Sequence, residues 1–167
     1  MIFVTVGTAV KGLEFTRLLE TMDRLAGELK LDVLIQCGSS PYQPQHARYV
    51  RFLSYNEALD QFRQCRLVVG HCGAGTILNA LRFGKPMILL PRRAGQGEHV
   101  DDHQMELAAA LSDVAGVWVV YEVSDLEGVL RKVLQKLPVE SKPTAARLSL
   151  VAAINEFVEQ STPPAKR

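Results

Sequence analysis

Leu67-Val68-Val69-Gly70-His71-Cys72-Gly73-Ala74-Gly75-Thr76 decides how this chain folds. Three aliphatic residues run without a polar break, as in a parallel strand covered on both faces. The run stops at glycine, and small residues lead into a helical pattern over 76–83. Residues 86–90 are a second short apolar run of the same kind. Short buried strands alternating with helices mean an α/β domain on a doubly wound, mostly parallel sheet.

The flanking sequence extends this alternation. Residues 2–6 are β-rich and stop at Gly7, residues 32–37 stop at Gly38, and residues 48–53 form a third strand. Phe15, Leu18, Leu19, Met22, Leu25, Ala26 and Leu29 fall at helical spacing and predict a helix over 14–30. Pro41 and Pro44 make 39–46 a loop, and a short helix over 56–64 has Ser54 or Asn56 as its cap. Downstream come a helix over 102–111, a strand over 117–121 and a helix over 125–137 opened by Ser124. Pro143 begins a last helix reaching about 160, where ten of the fourteen positions 145–158 are Ala, Val, Leu, Ile or Phe. That face is broader than one supporting surface needs, which suits either deep burial or a helix shared with a partner. Residues 1–160 are read as one domain and 161–167 as a disordered tail. Met22, Met87, Met105 and Trp118 are read as core.

Composition narrows the function. The formal charge of +1, without a long run of one sign, gives no reason to expect electrostatic capture of nucleic acid. Three cysteines, Cys37, Cys65 and Cys72, are too few and too uneven for a disulfide scaffold and suit reduced thiols in a cytoplasmic protein. The apolar start lacks a basic leader, and no run approaches the roughly 18 apolar residues of a membrane span.

In an open parallel sheet, ligands sit beyond the carboxyl ends of the strands. Gly73, Ala74, Gly75 and Thr76 lie at such an end, where small residues expose backbone N–H groups and a helix start favours an anion. A diphosphate suits that environment; a structural turn without a ligand is the alternative. An ATP-type phosphate loop is excluded because no lysine precedes Thr76, and the dinucleotide fingerprint fails because Leu78 stands where it needs a third glycine. Gly7 and Thr8 make a second turn on the same rim. Arg92 and Arg93, just after residues 86–90, offer paired donors to a diphosphate or to a sugar carboxylate. His99 and His103 are four apart, but nothing of the Cys-x-x-Cys or His-Glu-x-x-His kind supports a metal site, and none is expected.

Taken as an ordered set, Val4-Thr5-Val6-Gly7-Thr8, Val50-Arg51-Phe52-Leu53, His71-Cys72-Gly73-Ala74-Gly75-Thr76, Gly84-Lys85-Pro86 and Asp102-His103-Gln104 carry a resemblance. Over roughly residues 2–137 the chain resembles the C-terminal, donor-binding half of glycosyltransferases with two facing Rossmann-like domains, the GT-B fold of family 28 type. In size it is similar to single-domain subunits of two-component enzymes. One group acts in the eukaryotic dolichol pathway; the other, which Pro91-Arg92-Arg93 and Gly97-Glu98-His99 resemble more, acts in bacterial exopolysaccharide and capsule assembly.

The resemblance implies roles. Phe52 and Leu53 would lie beside uracil, Gly73 to Thr76 would hold the diphosphate with Gly7, Thr8 and His71 nearby, and Gln104 with Asp102 would bond the sugar hydroxyls. Asn79 would meet the ribose where many relatives have a glutamate, and a neutral amide grips a hydroxyl less firmly than a carboxylate. One of Arg92 and Arg93 would face the ligand, and His99 or Glu98 would be the catalytic base unless a second protein supplies it. The expected reaction is inverting, metal-independent transfer from a UDP-sugar, with no further cofactor, to a polyprenyl-diphosphate-linked sugar. The expected partner is a membrane-anchored subunit that carries the acceptor site and holds this chain at the inner face of the cytoplasmic membrane. A non-catalytic nucleotide-sugar-binding or stabilising subunit is the alternative.

Overall fold

Strands β1 (Ile2–Thr5), β2 (Val33–Gln36), β3 (Arg48–Val50), β4 (Leu67–Gly70), β5 (Met87–Leu89) and β6 (Val117–Val119) form one sheet in the order β3-β2-β1-β4-β5-β6. Every neighbouring pair is parallel. The computed structural model describes residues 1–7, 12–137, 151, 152 and 154. Its helices are α1 (Thr16–Glu28), α2 (Tyr55–Gln64), α3 (Ala74–Arg82), α4 (His103–Leu111) and α5 (Leu126–Lys136).

The alternation of side chains along each strand divides the core in two. Ile2, Val4, Ile35, Val69 and Ile88 pack with α1 and α5 on one face. Phe3, Leu34, Val68, Met87 and Leu89 pack with α2, α3 and α4 on the other. Ile154 is buried in this second cluster, and Val151 packs against it. The rest of the predicted last helix, and the 161–167 tail, lie outside the described residues.

The strand order has a physical consequence. The chain winds outward from β1 through β2 to β3, then returns to the other side of β1 as β4. Connections from β1 and β4 therefore leave in opposite directions, and a crevice opens between their carboxyl ends.

One crossover lacks a helix. Residues 37–47 join the parallel strands β2 and β3 as an irregular loop, a connection that a helix usually makes. Buried Asp23 of α1 fixes the loop instead, accepting from Tyr42 Oη (2.9 Å) and from the N–H groups of Gln45, His46 and Ala47 (2.8 Å each). Burial alone would push this carboxyl up, but the three amides and the phenol outweigh it and hold it below the usual carboxylate range.

Local chemistry explains most boundaries. Ser54 caps α2 through a reciprocal capping box with Glu57, which selects it over Asn56. Ser124 does not cap α5; it lies inside a 3-10 turn (Val123–Asp125), whose i to i+3 bonding takes up the first predicted helical residue. Met22 and Met87 are fully buried, whereas Met105 lines a surface cleft and Trp118 is only partly covered. All three cysteines are buried and free, and burial pushes the thiols of Cys37 and Cys65 up to about 11 and that of Cys72 further. No helix among the described residues is long and apolar enough to cross a membrane.

Candidate functional site

At the crevice, the first turn of α3 follows β4 almost at once. Gly73 is its N-cap and carries no side-chain cap. The first intrahelical bond is Ile77 N–H to Gly73 C=O, at 3.1 Å. The N–H groups of Ala74, Gly75 and Thr76 thus find no acceptor among the described residues, as the start of any uncapped helix requires. Gly75 is exposed, and a Cβ built on it meets nothing within 4 Å. No neighbouring atom therefore demands glycine there, although helical glycine costs about 1 kcal/mol relative to alanine.

His71 joins the two glycine turns. A Cβ on Gly7 would come within 2.6 Å of its imidazole, and one on Gly73 within 2.2 Å. Gly7 also holds φ at +66°, a conformation glycine adopts without strain. The ring thus occupies the space that two side chains would otherwise fill. Burial drives its pKa down to about 3, with the Arg92 guanidinium and His99 adding to the effect, so the ring is neutral. Its Nδ1 is buried and has no partner among the described residues. The two turns are adjacent because β1 pairs with β4. Thr8 lies outside the described residues.

The opposite wall is the segment after β5. Arg92 is buried, with one guanidinium nitrogen on Val6 C=O, its charge 5.6 Å from the Phe15 ring centre, and Nε unpartnered among the described residues. Its backbone N–H donates to Gln104 Oε1 at 3.1 Å. Arg17 clamps Glu98 through two bonds, of 2.6 and 3.0 Å, and donates to Pro91 C=O at 2.9 Å. Glu98 also accepts from Arg93 N–H at 3.1 Å. Buried Glu98 is thus ion-paired with Arg17 and also favours the charge of buried Arg92, whose guanidinium has no ion-pair partner of its own among the described residues.

These contacts sort the sequence-derived candidates. Glu98, a candidate base from the sequence, has both oxygens bonded, to Arg17 and to the Arg93 amide, and so ties this loop to α1. Arg93 reaches Glu122 (2.9 Å) and Tyr121 C=O (2.7 Å), whereas Arg92 lies buried against Val6 C=O and Phe15. His99 is close to Asp101, with Nδ1 3.1 Å from the carboxylate. Asp102 accepts from Ala94 N–H at 2.8 Å and lines an open cleft of about 690 Å³ with Arg93, Gly95, Gln96 and Met105. Buried Gln104 has its carbonyl end committed to Arg92, which leaves its NH2 end to donate. Asn79 lies on α3, half-buried, more than one turn beyond the helix start. Phe52, 59% exposed, and half-buried Leu53 follow β3, three strands from β4 or about 14 Å across the sheet. Arg17 and Phe15 escaped the sequence reading, which counted Phe15 only as helix core; the one signal was an arginine in the first turn of α1.

The family model of the glycosyltransferase family 28 C-terminal domain matches residues 1–159. The UDP-N-acetylglucosamine transferase subunit ALG13 of Eremothecium gossypii is 36% identical over 87 residues, which is 49% of this chain and 41% of that protein. The UDP-N-acetylglucosamine--N-acetylmuramyl-(pentapeptide) pyrophosphoryl-undecaprenol N-acetylglucosamine transferase of Prochlorococcus marinus subsp. pastoris is 30% identical over 107 residues, 62% of this chain and 28% of that one. The match thus spans under half the length of these relatives. Among solved structures, an NMR structure of ALG13 superposes with a TM-score of 0.63 at 18% identity, covering 95% of this chain and 96% of that one. MurG of Acinetobacter baumannii gives 0.60 at 18% identity, covering 92% and 49%. Both structures share the fold, a Rossmann-like half of the GT-B architecture.

Proposed function

The chain belongs to the glycosyltransferase family 28 C-terminal domain family, and from that premise we propose that it is the donor-binding catalytic subunit of an inverting glycosyltransferase that uses a UDP-sugar. One observation carries the reading. The amides of Ala74, Gly75 and Thr76 at the start of α3 have no acceptor among the described residues, Gly75 is exposed with open space around it, and the buried cation Arg92 lies on the same rim between β1 and β4. A diphosphate supplies the acceptors those amides want and the charge the arginines favour.

Laid along the rim, the donor would place its uracil by Phe52 and Leu53, its ribose by Asn79 and its diphosphate at Ala74 to Thr76. Its sugar would face Gln104 and Asp102. Transfer requires stabilising negative charge as it grows on the departing diphosphate. The α3 amides, the helix end and Arg92 can do so in a fixed geometry. His99, whose Nδ1 lies 3.1 Å from the Asp101 carboxylate, is the proposed base that takes the acceptor hydroxyl proton. The acceptor proposed is a polyprenyl-diphosphate-linked sugar in exopolysaccharide or related glycan assembly. A membrane-anchored partner would bring it to the inner face of the cytoplasmic membrane. The names of the relatives support a partner and a lipid-linked acceptor, since one is a transferase subunit and another a pyrophosphoryl-undecaprenol N-acetylglucosamine transferase.

Calorimetry with UDP and with UDP-N-acetylglucosamine, the donor named for both relatives, tests the reading. Saturable binding that Gly75→Trp abolishes without changing the thermal melt is expected. Absence of binding to either nucleotide would refute it. A subunit that only binds or stabilises is distinguished by reconstitution: Gln104→Ala should then leave transfer by the complex unchanged, whereas a large loss is expected.

A further inference from the structure

The loop between β5 and α4 brings His99, Asp101 and His103 to one point, with one ligand-capable atom from each within 4.8 Å of the others. Nδ1 of His99 and Nδ1 of His103 both approach the same carboxylate oxygen of Asp101, the first at 3.1 Å. The rings meet edge to face with centres 4.6 Å apart. We propose that these three residues bind a divalent transition-metal ion of the zinc type.

The donor set suits such an ion. Two imidazoles and one carboxylate are borderline ligands that zinc, cobalt and nickel accept, and three protein ligands leave a fourth position for water or a substrate oxygen. Calcium and magnesium, which prefer all-oxygen sites, are disfavoured. The protonation pattern points the same way. Without an ion, the Asp101 oxygen can accept from both rings only if both carry a proton on Nδ1. The Asp101 N–H lies 3.4 Å from His99 Nδ1, however, and favours a lone pair there. That lone pair is what a metal needs. Access is open, since the His99 side chain is 20% exposed and His103 and Asp101 more so. The positive start of α4 opposes a cation, and the Asp101 charge offsets it.

The neighbouring Glu98 is bonded to Arg17 and Cys72 is fully buried, so neither belongs to the cluster. Asp101, between the two histidines, completes the set. An ion there ties the loop to the start of α4, from which Asp102 and Gln104 reach Ala94 and Arg92. It also engages His99, so occupancy bears on the base role proposed above, but binding itself does not depend on that role.

Zinc chloride titrated calorimetrically into the full chain, stripped with EDTA, tests the proposal, with cobalt absorption in the visible as a second reading. One equivalent of saturable binding is expected, with cobalt bands of low-symmetry coordination. The double variant His99→Ala/His103→Ala should lose it, and Asp101→Asn, a change on an exposed side chain, should weaken it by about tenfold or more. No saturable binding by the unaltered chain, or equal binding by the double variant, would overturn it. Should the double variant fail to fold, Asp101→Asn decides alone, and unchanged affinity would overturn the site.

Discussion

His71 links three facts: two glycines, a strand pairing and a neutral imidazole. Because Gly7 and Gly73 both back onto its ring, any side chain at either glycine must displace it or distort a turn. Its neutrality has a measurable sign. The folded group titrates near 3 against 6.5 for an unhindered imidazole, so between those values the unfolded chain binds a proton that the folded chain does not. Stability from this group is complete above pH 6.5 and falls as pH drops, by up to about 1.4 kcal/mol per pH unit. Denaturant unfolding between pH 7 and 5 should show this slope, and His71→Asn should flatten it; an unchanged slope would place the titration elsewhere. Glu98 gives a second contrast. With both oxygens in use, Glu98→Gln should lower the melting temperature while the acidic limb of the transfer rate against pH stays in place. A lost limb would return the base role to Glu98.

The start of α3 gives the clearest separation of stability from binding. Gly75 has ordinary helical geometry and open space around it, so Gly75→Ala should stabilise the fold by about 0.5–1 kcal/mol. The same methyl group stands where a phosphate would approach the amides, and UDP affinity should drop about tenfold or more. Thermal melts and calorimetry on one variant check both halves; a variant that is stabilised and binds UDP undiminished would remove the diphosphate from this helix. On the other side of the sheet, Asp23→Ala should cost about 3 kcal/mol, since three amides of the crossover loop lose their acceptor in a covered place. A cost under about 1 kcal/mol in urea unfolding would show that the loop stands without it. These elements differ in how readable they were. Strands and the α3 start follow from short apolar runs ending in glycine, because a buried parallel strand tolerates little else. The Asp23 anchor, the Arg17–Glu98 clamp and the convergence at Asp101 join residues 22, 81 and two positions apart. Periodicity reports which face a residue occupies, not which distant group it meets, so these partners became visible only with the fold.

The arrangement of the sheet and its rim explains why a partner is proposed. Among the described residues the rim of the crevice is open to solvent at Gly75 and Phe52, whereas glycosyl transfer needs water excluded from the donor. This chain alone should bind nucleotide yet transfer sugar to a lipid-linked acceptor only after an acceptor-binding protein is added. Full transfer by the purified chain would disprove the need for one. The expectations for binding and transfer descend from a diphosphate seated on the α3 amides. A titration of 15N-labelled chain with UDP, followed by amide chemical shifts, tests that seat residue by residue. The largest shifts are expected at Ala74, Gly75 and Thr76, with smaller ones at Gly7 and Arg92; a saturating titration that leaves those three amides unmoved would contradict it.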